Sequence, residues 1–403
     1  MNNTLNSYDY LLNEDGPAAI VLKQWLKPVG GDIIFPPSYA APSQKKGDPS
    51  VYNIDRFGET AVLRKTFEKL SKIQTFVDTE RTEQGREYSV CVIDSIASQL
   101  NRVEPAFADK IADGKLVPQV VIKVKFKNED GEEGEQLINL LDAGHRAADA
   151  IVRFSSLAAD LEKAIKARQH GDSLLLAKIA PTSLIFGMWD SRATGVKVPR
   201  LINSIIRAYD VRKYRRSSQY SSATDYAAAG VVAEKGEKTL KKLADEGMAP
   251  VPSTLVSGGI EAKGGICRDA SLNLVTLRDI VTLAKKKTDK QDEVDKGKAR
   301  EETLKLQRYL LGLALVSLTW FDGKTLNLRQ GCQLVALPDK PMIRVCINAD
   351  GKETDFQIDR ELAQEYAKEA AKAFVVGADR PDETFDSKKA KDALKKKTVE
   401  EPE

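Results

Sequence analysis

Apolar residues recur along the chain in two rhythms. Val120, Ile122, Val124 and Phe126 alternate with Val121, Lys123 and Lys125, which predicts a half-buried strand over Val117 to Phe126. Asn128 to Gly131 reads as a turn and Gln136 to Leu141 as the returning strand. Val90 to Ile93, Gln333 to Leu337 and Ile343 to Ile347 read as further strands. The helical rhythm predicts a helix from Thr60 to Ile73, on Val62, Leu63, Phe67 and Leu70. A longer one is expected from Ala143 to Ala167, on Ala147, Ile151, Phe154, Ala158, Leu161 and Ile165, capped by Asp142. Leu304 to Leu318 reads as a buried helix and Arg360 to Phe374 as an amphipathic one. Leu174 to Ile179 and Ser183 to Trp189 suggest short strands around Pro181. Leu201 to Val211 suits both periods and is taken as helical entry and strand exit.

Elsewhere the pattern weakens. The first fifty residues, with Gly30-Gly31, Pro36-Pro37 and Pro42, read as irregular structure lying on a core. Gly247 to Ile266 is rich in Pro, Ser and Gly, and its two glycine pairs frame a short exposed segment. Lys285 to Glu302 holds seven basic and six acidic residues, the signature of a solvated linker or helix face. From Asp382 onward lysines and acids alternate without a core pattern, as in a frayed tail. The expected layout is an irregular segment over 1–53, a core over 54–380 with a charged insertion at 284–302, and a flexible tail over 381–403. Irregular alternation of helices and antiparallel hairpins favours an α+β fold over a doubly wound sheet.

Composition narrows the function. Two histidines, His145 and His170, and four scattered cysteines without a C-x-x-C pair argue against a metal centre or a disulfide framework. No cofactor is expected. The N-terminus lacks the basic start and apolar run of a signal peptide, and Leu304 to Trp320 is too polar to span a bilayer. A cytoplasmic protein without a membrane partner is therefore expected.

The net charge is only +3, yet Asp190 to Arg216 carries eight cations against two carboxylates. The stretch is +6 and the remainder of the chain −3. Arg192, Lys197, Arg200, Arg207, Arg212, Lys213, Arg215 and Arg216 are interleaved with tyrosines and serines, a mixture suited to phosphates and unpaired bases. A solvated basic surface or a dock for an acidic protein is the plainer alternative. Asp190 beside Arg192 suggests an ion pair; as a general base, Asp190 or His145 would instead make an endoribonuclease. Arg146, in the first turn of the expected long helix, is unfavourable against the macrodipole unless a bound anion lies near or Asp142 or Asp149 neutralises it. Gly258-Gly259 and Gly264-Gly265 lack the setting of a nucleotide loop and suit plain turns equally well.

Three blocks together resemble a known family. They are Leu141 to Ala150, Pro181 to Arg192 continuing through Lys197-Val198-Pro199-Arg200 to Val211, and Gly258-Gly259-Ile260 with Gly264 to Arg268. As a set, over about Ile54 to Val376, they resemble the RAMP-superfamily backbone subunit of type I-G CRISPR Cascade complexes. The resemblance implies an RRM-like, ferredoxin-type palm with large insertions, though the aromatic signature of an RRM sheet is not visible. It implies a non-enzymatic scaffold whose copies stack head to tail along one CRISPR RNA, beside other Cascade subunits. The guide would be held by its backbone and left free to pair with a target DNA strand, pairing that an extended loop of each copy interrupts. His145, Arg146, Trp189, Ser191, Arg192, Lys197, Arg200, Arg207, Arg212, Lys213, Arg215, Arg216, Gly264, Gly265 and Arg268 are the expected RNA-binding residues.

Overall fold

The central strand of the fold lies where the sequence suggests irregular structure. Ala19–Pro28 (β1) buries Ile20, Leu22 and Leu26, and also Lys23 and Gln24, so polar and apolar positions do not alternate as on a half-buried strand. This computed structural model describes residues 4–40, 51–57, 88–108, 115–127, 131–220, 222–226, 228–231, 237–249, 251–283 and 292–398. The helix expected over Thr60 to Ile73 lies outside them.

Nine strands form one antiparallel sheet: β1, β2 (Ile54–Phe57), β3 (Tyr88–Asp94), β4 (Ile202–Tyr209), β5 (Ile266–Asn273), β6 (Leu326–Arg329), β7 (Cys332–Ala336), β8 (Ile343–Ile347) and β9 (Glu353–Asp355). Their order is β6-β7-β1-β5-β4-β3-β2; β8 pairs with the first half of β1, on the edge that β7 continues, and with β9. Within the sheet, the first, second, third and fourth of the set β1, β4, β5 and β7 lie in spatial order fourth-first-third-second. The long helix Asp292–Thr319 occupies the crossover between the third and the fourth.

That helix and Arg360–Phe374 pack closely. A Cβ on Gly312 would fall 2.8 Å from Ala367 Cα, so the absence of a side chain lets the backbones approach. Tyr309 stacks on Phe374 at 4.6 Å and donates its hydroxyl to Leu116 O at 2.8 Å. Asp359 caps Arg360–Phe374 by accepting from Leu362 N at 2.8 Å. Helix, strand and hairpin together make the α+β architecture that the sequence suggests. Among the described residues no helix is long and apolar enough to cross a membrane.

Several local expectations are overturned. The helix expected over Ala143 to Ala167 is broken into short turns, Ala150–Arg153 capped by Asp149, and Ala158–Gln169. The break frees backbone groups for the C-terminal segment: Ser156 N donates to Thr384 O and Asp386 N to Phe154 O. Leu174–Ile179 and Thr182–Ile185 are helical, with Met188–Trp189 alone extended; short apolar runs do not distinguish the two states. Leu201 to Val211 has no helical entry: Ile202–Tyr209 is strand, and after a kink at Asp210 a second strand begins at Val211. Val251–Ala262 is a long strand despite its glycines. The expected frayed tail holds a strand, Arg380–Thr384, parallel to Val120–Lys127, and a helix, Ser387–Thr398. Arg380 anchors it through Asp160 at 2.7 Å, a polar tie invisible to a hydrophobic pattern. The hairpin of Val120–Lys127 and Glu133–Asn139 forms as expected.

Candidate nucleic-acid interface

The basic strip, continuous in sequence, divides in space. An eight-residue strand spans about 23 Å, and β4 separates a hairpin at its start from a ribbon at its end.

The ribbon leaves the sheet at two turns. Asp210 (φ 46°) redirects the chain after β4, and Gly264-Gly265 redirect it into β5. Lys263 N donates to Asp210 O at 3.0 Å and Gly264 N to Tyr209 O at 2.9 Å. A Cβ on Gly264 would fall 2.9 Å from that same oxygen, and Gly265 has φ +90°. Both glycines are thus required by the backbone itself. Beyond the turns, Val211–Tyr220 pairs with Val251–Ala262, with register shifts after Lys213 and Arg216. Arg212, Lys213, Arg215 and Arg216 are all exposed. Tyr214 is half-buried and donates to Glu261 Oε2 at 2.9 Å across the pair. The Glu261 carboxyl is held below its usual range by Lys263 and Tyr214. Cations rest on rings at the ribbon's base, Arg216 over Phe35 at 5.3 Å and Lys213 over Tyr52 at 5.7 Å.

At the other end, Met188–Trp189 pairs with Lys197–Val198. Asp190 is buried and accepts from Thr194 N at 2.9 Å and Thr194 Oγ1 at 2.7 Å. It closes the turn, where the sequence suggests an ion pair with Arg192. Ser191, Arg192, Lys197 and Arg200 are exposed around Trp189.

Between the two ends runs the sheet face opposite the helices. Lys23 and Trp25 of β1, Cys267 and Asp269 of β5, and Arg207 and Tyr209 of β4 share it by register. Asp269 lies 3.9 Å from Lys23 and 3.8 Å from Arg207, and it accepts from Tyr209 Oη at 3.3 Å. Burial lowers the Lys23 pKa, against the attraction of Asp269. The Trp25 and Tyr209 rings stand 6.4 Å apart, and Lys340 Nζ lies 4.4 Å over Trp25. Trp25 and Lys23 are not foreseen from the sequence, because they lie in the stretch expected to be irregular. The sequence carries no usable signal for them, since Val21, Lys23 and Trp25 share a face by register but no common polarity.

Two expected contacts are withdrawn from the surface. Arg268 is 1% exposed; its Nη2 donates to Leu318 O at 3.3 Å and its guanidinium stacks over Phe321 at 5.2 Å. There it serves the carbonyl end of Asp292–Thr319, and burial pulls its pKa down to about 10. Arg146 lies in a buried turn (φ 54°) with Nε 2.7 Å from Glu104 Oε2. Its Nη1 donates to Gly187 O at 3.2 Å and its Nη2 to Asn101 Oδ1 at 3.1 Å. Its partner is therefore the protein's own Glu104, and neither a bound anion nor Asp142 or Asp149 is needed to account for it. His145 stays exposed, its backbone N–H bonded to Asp149. Among the described residues no three His, Cys, Asp or Glu side chains are grouped to hold a metal ion.

An α+β sheet with a projecting basic ribbon defines a class of surface, not an identity. A family model described as CRISPR-associated protein GSU0053 matches residues 20–213, from β1 into the ribbon. The match indicates a CRISPR-associated protein. No curated protein matches the chain.

Proposed function

We propose that the protein is a guide-RNA-binding backbone subunit of a DNA-targeting, type I-G Cascade complex, and that it runs no reaction itself. The exposed Arg212, Lys213, Arg215 and Arg216 on one projecting ribbon carry this reading, set beside the CRISPR family match. Four exposed cations along one paired strand suit the phosphates of a single strand. The fourth-first-third-second strand order, all antiparallel with a helix in the second crossover, supports a ferredoxin-type palm of the RAMP kind. The long crossover from β1 to β4 then holds the large insertions, and the ribbon is the arm that interrupts pairing between guide and target. Head-to-tail copies would share one guide. An endoribonuclease reading finds little support in Asp190, a buried carboxylate engaged by Thr194.

Sedimentation tests the filament. Mixed with single-stranded RNAs of increasing length, the protein is expected to form particles that grow in steps, one copy per fixed stretch, with the RNA intact. A particle size independent of RNA length, or cleaved RNA, would refute the proposal.

A further inference from the structure

We propose that Trp189 is a stacking platform for an unpaired RNA base, an inference that rests on the RNA-binding reading and adds where a base, as distinct from a phosphate, is held. Trp189 is 58% exposed, the most exposed aromatic ring among the described residues. Such a ring in water forgoes burial, so its setting matters.

The setting is rigid and cationic. Beyond the Trp189–Lys197 pairing, Asp190 N donates to Val196 O at 3.0 Å and Gly195 N to Asp190 O at 2.8 Å. Gly187 (φ +75°) sits so close that a Cβ would meet Val198 O at 2.9 Å, which fixes the base of the hairpin. Lys197 Nζ lies 4.3 Å over the indole and holds its orientation. Arg192 and Arg200 are exposed on the same hairpin, whereas its single acid, Asp190, is turned inward and engaged by Thr194. Every charged side chain exposed on the hairpin is therefore a cation, beside one flat apolar ring. A nucleobase with its flanking phosphates complements both parts. Stacking is indifferent to base identity because every base has a π-face, which suits a strand whose sequence varies.

Tryptophan fluorescence and binding affinity test this together, using an oligouridylate and an abasic oligonucleotide of equal length. The chain holds three tryptophans, so Trp189→Phe isolates the contribution of one. The oligouridylate should quench wild-type emission and the abasic strand should not. Trp189→Phe should lose that quenching yet keep its affinity, because the ring remains. Trp189→Ala should bind the oligouridylate about 5- to 150-fold more weakly and the abasic strand as before. Quenching undiminished in Trp189→Phe, or equal effects of Trp189→Ala on both strands, would overturn the stacking site while leaving RNA binding intact. A Trp189→Ala variant that self-associates less without RNA would assign the ring to a second copy and likewise overturn it. If the wild type binds neither strand, the RNA-binding reading itself fails.

Discussion

Arg146→Ala is expected to destabilise the fold by about 3–5 kcal/mol, the range for breaking a buried ion pair from one side. Glu104 is 1% exposed and Arg146 6%, so the remaining carboxylate would be stranded away from water. The loss should depend on pH. Burial pushes the Glu104 pKa up to about 7 from an ordinary 4.5, against the pull of Arg146. A carboxyl raised on folding contributes stability that is full below about 4.5 and is lost as pH rises through about 7. Without Arg146 the folded value rises further, so the window of loss extends upward. Denaturant titrations at pH 5 and pH 8 should therefore show the larger Arg146→Ala penalty at pH 8. Adding Glu104→Gln should recover part of it by removing the stranded charge. A penalty below 1 kcal/mol at both pH values, with weakened RNA binding, would return Arg146 to the interface.

Replacing Arg212, Lys213, Arg215 and Arg216 together by alanine should flatten the salt dependence of RNA binding. Each phosphate neutralised on a single strand contributes about 0.7 to the slope of log affinity against log salt, so four contacts contribute up to about 2.8. The loss of affinity at 50 mM salt should then exceed that at 200 mM by about fifty-fold. The side chains are exposed, and Tyr214 keeps its bond to Glu261, so the ribbon should stay paired. Changing the three arginines to lysine should preserve the slope, since charge and not fork geometry sets it. An unaltered slope in the alanine variant would remove the ribbon from the RNA path.

Much of the outer architecture was legible in the sequence, because Arg360–Phe374 and the Val120–Lys127 hairpin carry their periods openly. The central strand was not, since Lys23 and Gln24 are buried beside its apolar residues. The segment Ala143 to Ala167 shows the opposite failure. Its apolar spacing persists while the left-handed Arg146 and the docking of Thr384 to Asp386 break the helix. Tertiary hydrogen bonds override a local rhythm there. The charge excess of Asp190 to Arg216 pointed to the surface hairpins, but charge alone could not separate Arg212 from Arg146 or Arg268. Whether an arginine faces solvent or a buried partner is decided by residues distant in sequence, Glu104 and Leu318 here.

A scaffold of the proposed kind carries its guide RNA without cutting it. Isolating the protein from its native cells and sequencing the bound RNA tests that most directly. The expected result is intact RNA of uniform length, each molecule sharing one repeat-derived flank beside a variable segment. No bound RNA, or fragments of random length and origin, would contradict it.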